Sequence, residues 1–225
     1  EDGIRDDLVT GVQTCALPIS DDLSFNKLNE LQKLGVNRLS VGIQSFFDDE
    51  LTWMKRAHNQ HDAFNVLENI NKAGFDNYSI DLIYGSPFLT KEKWLKNLSI
   101  ITDFCVPHFS AYSLTVEPNT LLAKQIKTKS SPPIEDKNTA LFFELLMNFS
   151  EEKGFEHYEI SNFSKPKFYS KHNTSYWEGK PYLGIGPSAH SFDGIARQWN
   201  VSNNNQYIKS MEKSIVPHEE EILSK

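Results

Sequence analysis

The sequence contains little cysteine, no strongly basic segment and no long apolar run. Two of the 225 residues are cysteines, Cys15 and Cys105, and neither belongs to a Cys-x-x-Cys or similar motif, so the spacing supports neither thiolate metal binding nor a disulfide framework. The formal net charge of −7 and the lack of a Lys/Arg cluster argue against nucleic acid binding. No stretch approaches the roughly 18 consecutive apolar residues of a membrane span. These absences predict a cytoplasmic protein.

Residues 1–20 show no apolar periodicity, whereas a well-patterned helix follows them. Residues 7–19 resemble translated sequencing-adapter sequence of the kind found at the ends of assembled fragments. We therefore predict that residues 1–20 are a non-native scar or a disordered tail, and we leave them out of the fold prediction.

In three segments, 38–44, 78–84 and 109–116, apolar residues alternate with smaller or more polar ones, as in a β-strand whose two faces differ. We predict that one face is apolar and is formed by Leu39, Val41, Ile43, Tyr78, Ile80, Leu82, Tyr112, Leu114 and Val116. The opposite face is smaller and more polar, with Ser40, Gly42, Gln44, Ser79, Asp81, Ile83, Ala111, Ser113 and Thr115. Helical patterns at about 47–56, 61–73, 90–104, 136–153 and 203–213 separate or follow these strands, which favours parallel βα units.

The interior of a closed α/β barrel is normally filled by Val, Ile and Leu, so a polar interior face predicts a ligand cavity. Asp81 is the most informative residue of that face, because a carboxylate within a strand needs a partner. Its partner is either a salt-bridging side chain such as Arg56 or a hydroxyl or amine of a ligand. Gln44 stands at a strand end, where a structural role toward the loop backbone is the alternative to ligand binding.

The segment from His172 to Trp177 combines an imidazole, an amide and two large aromatic side chains. It is either a loop anchored by its aromatics or the binding site of a flat aromatic ligand, with His172 as an axial donor to a metal. Residues 184–190 contain two glycines but lack the G-x-G-x-x-G pattern, so nucleotide phosphate binding is not predicted.

Several ordered motifs together resemble one known family: LSVGIQSF at 39–46, KRAH at 55–58, IDLIYG at 80–85, LTVEPNT at 114–120, YEISNF at 158–163, HNTSYW at 172–177 and GIGPSAH at 184–190. The chain is similar to radical S-adenosylmethionine (SAM) proteins of the oxygen-independent coproporphyrinogen III oxidase type, and in particular to their heme-chaperone branch. The resemblance implies an α/β fold, the C-terminal half of an incomplete (β/α)6 TIM-like barrel. It places the partial barrel at 21–160 and the start of an accessory region at 161–225.

The resemblance implies a heme-binding chaperone that delivers heme to hemoproteins, including membrane hemoproteins, with an oxygen-independent coproporphyrinogen III oxidase as the alternative. The implied cofactors of the intact protein are S-adenosylmethionine and a 4Fe–4S cluster, and the implied bound ligand is heme or a porphyrin. The positions that correspond to the cofactor site of the family are Gln44, Arg56, Asp81, Thr115 and His190. The corresponding heme residue is His172.

The sequence departs from this family at one decisive motif. The C-x-x-x-C-x-x-C cluster motif is not present, so the chain supplies no metal ligands and its catalytic residues are not assigned. We therefore predict that the chain as written is catalytically inactive and, as half of a barrel with unpaired strand edges, poorly soluble.

Overall fold

The computed structural model describes residues 15–16, 23–118 and 120–223, which fall into two compact units. We call the residues up to Tyr169 the sheet unit and residues 170–223 the C-terminal unit. The sheet unit contains, in order, β1 (Cys15–Ala16), α1 (Phe25–Lys33), β2 (Arg38–Gln44), α2 (Asp48–Trp53), α3 (Gln60–Ala73), β3 (Tyr78–Tyr84), α4 (Lys91–Asp103), β4 (His108–Ser113), α5 (Leu121–Lys127), α6 (Asp136–Glu152), β5 (Glu156–His157) and β6 (Asn162–Ser164). The C-terminal unit contains α7 (Lys171–Trp177), β7 (His190–Phe192), β8 (Ala196–Asn200), α8 (Asn204–Met211) and β9 (His218–Ile222).

The sheet unit is built on one six-stranded sheet in the order β1-β2-β3-β4-β6-β5. Neighbours from β1 to β4 are parallel, whereas β6 joins β4 in antiparallel orientation and β5 joins β6 in the same way. Of residues 1–20, the structure describes only the two residues of β1, which pair with Arg38 and Leu39. The rest of the predicted scar lies outside the described residues.

Helices cover the apolar face of this sheet and form the core with it. The predicted strands at 38–44 and 78–84 are confirmed residue for residue, and the five predicted helices are confirmed with shifts of a few residues at their ends. The core joins strand residues such as Val41 and Ile80 to Leu67 of α3 and Trp94 of α4. Burial of these side chains supplies the main stabilising free energy of the sheet unit.

The opposite face of the sheet carries mostly small and polar side chains. Paired residues of parallel strands present their side chains on the same face, and Asp81 pairs with Gly42 on one side and Ser110 on the other. We call this the polar face; the register assigns to it Ser40, Gly42, Ser79, Asp81, Ile83, His108, Ser110, Tyr112, Asn162 and Ser164.

The predicted faces of β4 are wrong. Ala111 pairs with Leu82 and belongs to the buried core, whereas Tyr112 pairs with Ile83 and shares its face. The strand also ends at Ser113, so Thr115 lies beyond it. The error arises because the alternation at 112–116 continues past the end of the strand, where no sheet face remains to sort the side chains. The corrected face of β4 carries His108 and Ser110 and is therefore still polar.

The segment 154–160 follows helix α6 but does not begin another parallel strand. Gly154 has a left-handed φ of 67° after α6, and β5 is then only two exposed residues long and antiparallel to its neighbour. Compact packing continues past residue 160, because β6 pairs with β4 inside the sheet.

The C-terminal unit has a three-stranded antiparallel sheet in the order β7-β8-β9. Few of its apolar side chains are buried: Ala189 and Ala196 are, while Leu183 and Ile222 are each 74% exposed. Among the described residues of the whole chain, no helix has the length and apolar character needed to cross a membrane.

Candidate functional site

Gln44, the last residue of β2, lies buried at the C-terminal end of its strand and folds back along it. The pairing of β2 with β3 shifts between Gly42 and Gln44, and Gln44 has a left-handed backbone with φ 64°. A methyl group on Gly42 would lie 3.1 Å from Nε2 and 3.2 Å from Oε1 of Gln44. The missing side chain of Gly42 therefore leaves the space into which the Gln44 amide folds, on the polar face.

A buried histidine fixes the same turn. Nε2 of His58 lies 2.9 Å from the carbonyl oxygen of Ile43, and because a carbonyl only accepts hydrogen bonds, Nε2 carries the proton. Nδ1 of His58 has no hydrogen-bond partner among the described residues. His58 thus acts on the backbone next to Gln44, and it belongs to no metal cluster among the residues that the structure describes.

Glu50, in the first turn of α2, is fully buried and joins two loops that follow neighbouring strands. Its Oε2 accepts a hydrogen bond from Ser45 Oγ at 2.6 Å, and its Oε1 accepts one from Ser86 Oγ at 2.5 Å. Burial raises the pKa of the Glu50 carboxyl above its ordinary value, although the hydrogen bonds from the two serines act in the opposite direction. Ser45 follows β2 and Ser86 follows β3, so this carboxylate ties together the C-terminal ends of both strands.

Asp81 lies in the middle of β3 on the polar face, half-buried, between Gly42 and Ser110 of the adjacent strands. The Oγ of Ser110 donates to Asn162 Oδ1 at 2.7 Å, and Asn162 in turn donates from Nδ2 to Glu159. Asp81 therefore stands on a surface of small and hydrogen-bonding side chains, which suits a ligand that carries hydroxyl or amine groups.

Arg56 lies in the exposed loop after α2, where its backbone N–H donates to the carbonyl of Leu51 at 2.9 Å. The salt bridges between described residues do not include a pair between Arg56 and Asp81. Among the described residues, Arg56 is therefore not the salt-bridge partner of Asp81.

Thr115 follows β4 as an exposed residue, and its Oγ1 lies 3.4 Å from Glu117 Oε1. It lines a cavity of about 510 Å³ together with Leu114, Ile126, Ile134 and other residues of the segment between β4 and α6. A cavity of this size is large enough for a small-molecule ligand.

The other end of the polar face holds a buried histidine of a different kind. His108 is 1% exposed, and its Nε2 lies 2.7 Å from the hydroxyl of Tyr158. Burial, followed by the nearby Arg38 charge, lowers the pKa of His108 to about 3, so the ring is neutral at physiological pH. Arg38 is itself buried and donates to Asn77 Oδ1 at 2.7 Å.

In the C-terminal unit, the segment predicted to be a loop or an aromatic ligand site forms the short helix α7. Ser170 caps it by accepting from the Asn173 N–H at 3.3 Å. Helical spacing places His172 and Tyr176 on one side, with ring centroids 4.9 Å apart, while Trp177 is 61% exposed. The helix thus displays an imidazole beside a phenol and an exposed indole.

His190 begins β7 as an exposed residue, with its ring 6.2 Å from that of Trp199. The preceding glycine-containing loop packs closely against β7: a methyl group on Gly184 would lie 2.1 Å from the carbonyl oxygen of His190. Asn200 also donates from Nδ2 to the Gly186 carbonyl at 2.8 Å.

The structure brings two of the predicted cofactor residues together, since Gln44 folds over Gly42 and Gly42 pairs with Asp81. Arg56 and Thr115 lie in exposed loops after α2 and β4, and His172 and His190 belong to the C-terminal unit. Sequence reasoning missed Glu50 and His58. The weak signal for Glu50 was its place after two other acidic residues at a helix start, a pattern that also fits solvent-exposed side chains.

The residues present do not fit a 4Fe–4S cluster. The cluster motif needs three closely spaced cysteines, whereas this chain has two, and Cys105 is exposed after α4. Among the described residues, no group of three or more His, Cys, Asp or Glu side chains is placed to hold a metal ion. The polar face, in contrast, fits a polar organic ligand such as S-adenosylmethionine.

Residues 5–99 match the model of the Radical SAM superfamily. The heme chaperone HemW of Bacillus subtilis is 38% identical over 200 residues, which make up 88% of this chain and 52% of that protein. The heme chaperone HemW of Lactococcus lactis is 36% identical over 207 residues, 91% of this chain and 54% of that protein. The chain thus spans about half the length of these curated relatives.

The fold is similar to that of coproporphyrinogen III oxidase (HemN) from Escherichia coli, described as a radical SAM enzyme. The TM-score is 0.77 over 94% of this chain and 52% of that chain, at 21% sequence identity. This match confirms the expected α/β fold as part of the radical SAM barrel. The chain therefore carries a match to the Radical SAM superfamily at residues 5–99 and is homologous to the heme chaperone HemW over most of its own length.

Proposed function

We propose that the protein containing this chain is a heme chaperone of the HemW type, which binds heme and delivers it to hemoproteins, membrane hemoproteins among them, in the cytoplasm. The observation that carries the proposal is helix α7, where the HNTSYW segment displays His172, Tyr176 and an exposed Trp177. A flat, largely apolar ligand with a metal centre needs an aromatic surface and an imidazole, and this helix offers both.

In this proposal, the polar face of the sheet unit binds S-adenosylmethionine. The Asp81 carboxylate accepts hydrogen bonds from hydroxyl or amine groups of the cofactor, and the Gln44 amide donates and accepts beside it. Arg56 and Thr115 are assigned to the same cofactor by correspondence with the family, as is His190. When bound, the cofactor supplies a sulfonium centre.

Replacing Asp81 by Asn tests the cofactor site. Loss of a charge-assisted hydrogen bond weakens S-adenosylmethionine binding by about 10- to 100-fold, as measured by calorimetry on the full-length gene product. The matched control is Asp76→Asn, which alters an exposed aspartate just before β3 and leaves the affinity unchanged. Equal affinity in Asp81→Asn and the wild type would remove Asp81 from the site.

A hemin titration tests the heme site. Binding to the wild-type full-length protein shifts the Soret band, and His172→Ala abolishes that shift if the imidazole is the axial donor. His218→Ala is the matched control, because His218 is another exposed histidine of the C-terminal unit and carries no proposed role.

The hemin titration, combined with an assay of coproporphyrinogen III turnover, separates the chaperone from the alternative, an oxygen-independent coproporphyrinogen III oxidase. Turnover of coproporphyrinogen III without stable hemin binding supports the oxidase. Stable hemin binding that depends on His172, without porphyrinogen turnover, supports the chaperone.

A further inference from the structure

The buried carboxylate of Glu50 contacts the residue that follows Gln44 of the proposed cofactor site. Both of its oxygens are engaged, by Ser45 after β2 and by Ser86 after β3. Each serine directly follows a residue with a left-handed backbone: Gln44 has φ 64° and Gly85 has φ 92°. The carboxylate therefore connects two tight turns at the C-terminal edge of the sheet.

The left-handed backbone is unfavourable for Gln44, because it is not a glycine. Such a conformation persists only where the surrounding contacts hold it. The turn is held at Ile43 by His58 and at Ser45 by Glu50. The N–H of Phe46 also donates to Asn97 Oδ1 at 3.0 Å, so the residues next to Gln44 on both sides are fixed by side chains.

The hydrogen-bond directions show why a carboxylate suits this position. Ser45 Oγ already accepts from the Phe47 N–H at 3.2 Å and from Asn97 Nδ2 at 3.4 Å. Its single proton is thus directed to Glu50, which must accept it. The distances of 2.6 and 2.5 Å to the two serines are in the range of hydroxyl groups that donate to an ionised carboxylate.

We propose that Glu50 is a positioning residue for the S-adenosylmethionine site: by accepting from Ser45 and Ser86 it locks the turns at Gln44 and Gly85, and so holds the Gln44 amide over Gly42 beside Asp81. This inference rests on the proposed cofactor site. Glu50 touches no ligand itself, and its effect passes to the site through Ser45 and the backbone of Gln44.

The test compares Glu50→Ala with Glu50→Gln in the full-length gene product. The glutamine oxygen still accepts from Ser45, and its amide donates to Ser86, so Glu50→Gln keeps both contacts with one reversed. We expect S-adenosylmethionine affinity to fall about tenfold in Glu50→Ala and to stay within about threefold of wild type in Glu50→Gln. Ser86→Ala, which removes one contact, gives an intermediate loss and replaces Glu50→Ala if that variant does not fold.

Val66→Ala is the control for effects of a general loss of stability. It truncates a core side chain on α3, a helix that contributes no residue to the two turns. It lowers the midpoint of denaturation but leaves the affinity of the folded protein unchanged. Affinity that falls equally in Val66→Ala and Glu50→Ala, or that is unchanged in Glu50→Ala, overturns the proposal.

The side-chain amide resonances of Gln44 in nuclear magnetic resonance spectra report the positioning without any ligand. They shift in Glu50→Ala or Ser86→Ala and remain near the wild-type positions in Glu50→Gln and Val66→Ala. If wild type binds no S-adenosylmethionine, the proposed cofactor site fails, yet these resonances still decide the role of Glu50. Unchanged resonances in both Glu50→Ala and Ser86→Ala contradict it.

Discussion

Two tryptophans mark the difference between the two units of this chain. Trp94, on α4 of the sheet unit, is 0% exposed, packs near Tyr84 and donates from Nε1 to the carbonyl of Phe142 at 2.9 Å. Trp177, at the end of α7 in the C-terminal unit, is 61% exposed. The first contributes to a core, whereas the second remains available on the surface of its unit.

The same contrast holds for the other apolar side chains. The sheet unit packs its strands and helices into one cluster of buried residues, while the C-terminal unit exposes Leu183, Ile185, Ile195 and Ile222 by 63–74%. Nearly all buried apolar side chains of the described residues thus lie in the sheet unit.

The largest expected effect comes from the core. Trp94→Ala removes a fully buried aromatic side chain and leaves a cavity, which costs about 3–5 kcal/mol of the free energy of unfolding. Urea denaturation followed by circular dichroism measures this loss. Trp94→Phe, which keeps much of the buried aromatic volume, is the matched variant and loses clearly less. A loss below about 1 kcal/mol for Trp94→Ala would show that this core is not packed as described.

The second prediction concerns a buried polar group of the sheet unit. The folded-state pKa of His108 is about 3, against about 6.5 in the unfolded chain, so its contribution is present above pH 6.5 and is lost as the pH falls toward 3. At pH 5 the loss amounts to about 2 kcal/mol, since this pH lies about 1.5 units below the pKa of the unfolded chain and each unit is worth about 1.4 kcal/mol.

The measurement compares the unfolding free energies at pH 7 and pH 5. His108→Gln removes the titration and keeps an amide that can bond to Tyr158, so the variant loses less stability on acidification than the wild type. His190→Gln, at an exposed histidine of the C-terminal unit, follows the wild-type profile. Parallel profiles for wild type and His108→Gln would mean that His108 is not buried in solution.

The strands of the sheet unit could be predicted from the sequence where burial of one face requires an apolar residue at every second position. Strands β2 and β3 have their predicted bounds, because helices cover one face and force every second residue to be apolar. The same alternation, read from the sequence alone, assigns Gln44 and Asp81 to one face. It fails for β4, since the alternating residues after Ser113 lie beyond the strand.

The contacts that hold the candidate site could not be predicted in the same way. Nothing in a run of three acidic residues distinguishes the buried Glu50 from exposed Asp48 and Asp49. Its burial depends on Ser86, 36 positions away, and on the turn at Gln44. A carboxylate with distant partners has no local pattern, whereas a core side chain repeats with the period of its strand or helix.

The smallest expected effect on stability is that of Trp177→Ala, and it tests the comparison most directly. A side chain that is 61% exposed contributes little to folding, so the free energy of unfolding changes by no more than about 0.5 kcal/mol. The residue differs from Trp94 in what it does when folded: if α7 binds heme, the variant binds hemin more weakly while its denaturation midpoint stays near that of the wild type. A loss of stability close to that of Trp94→Ala would show that Trp177 is packed in solution, for example against another chain.

Since the same amino acid occupies a helix in both units, a difference in stability between the Trp94→Ala and Trp177→Ala variants arises from burial and not from side-chain chemistry.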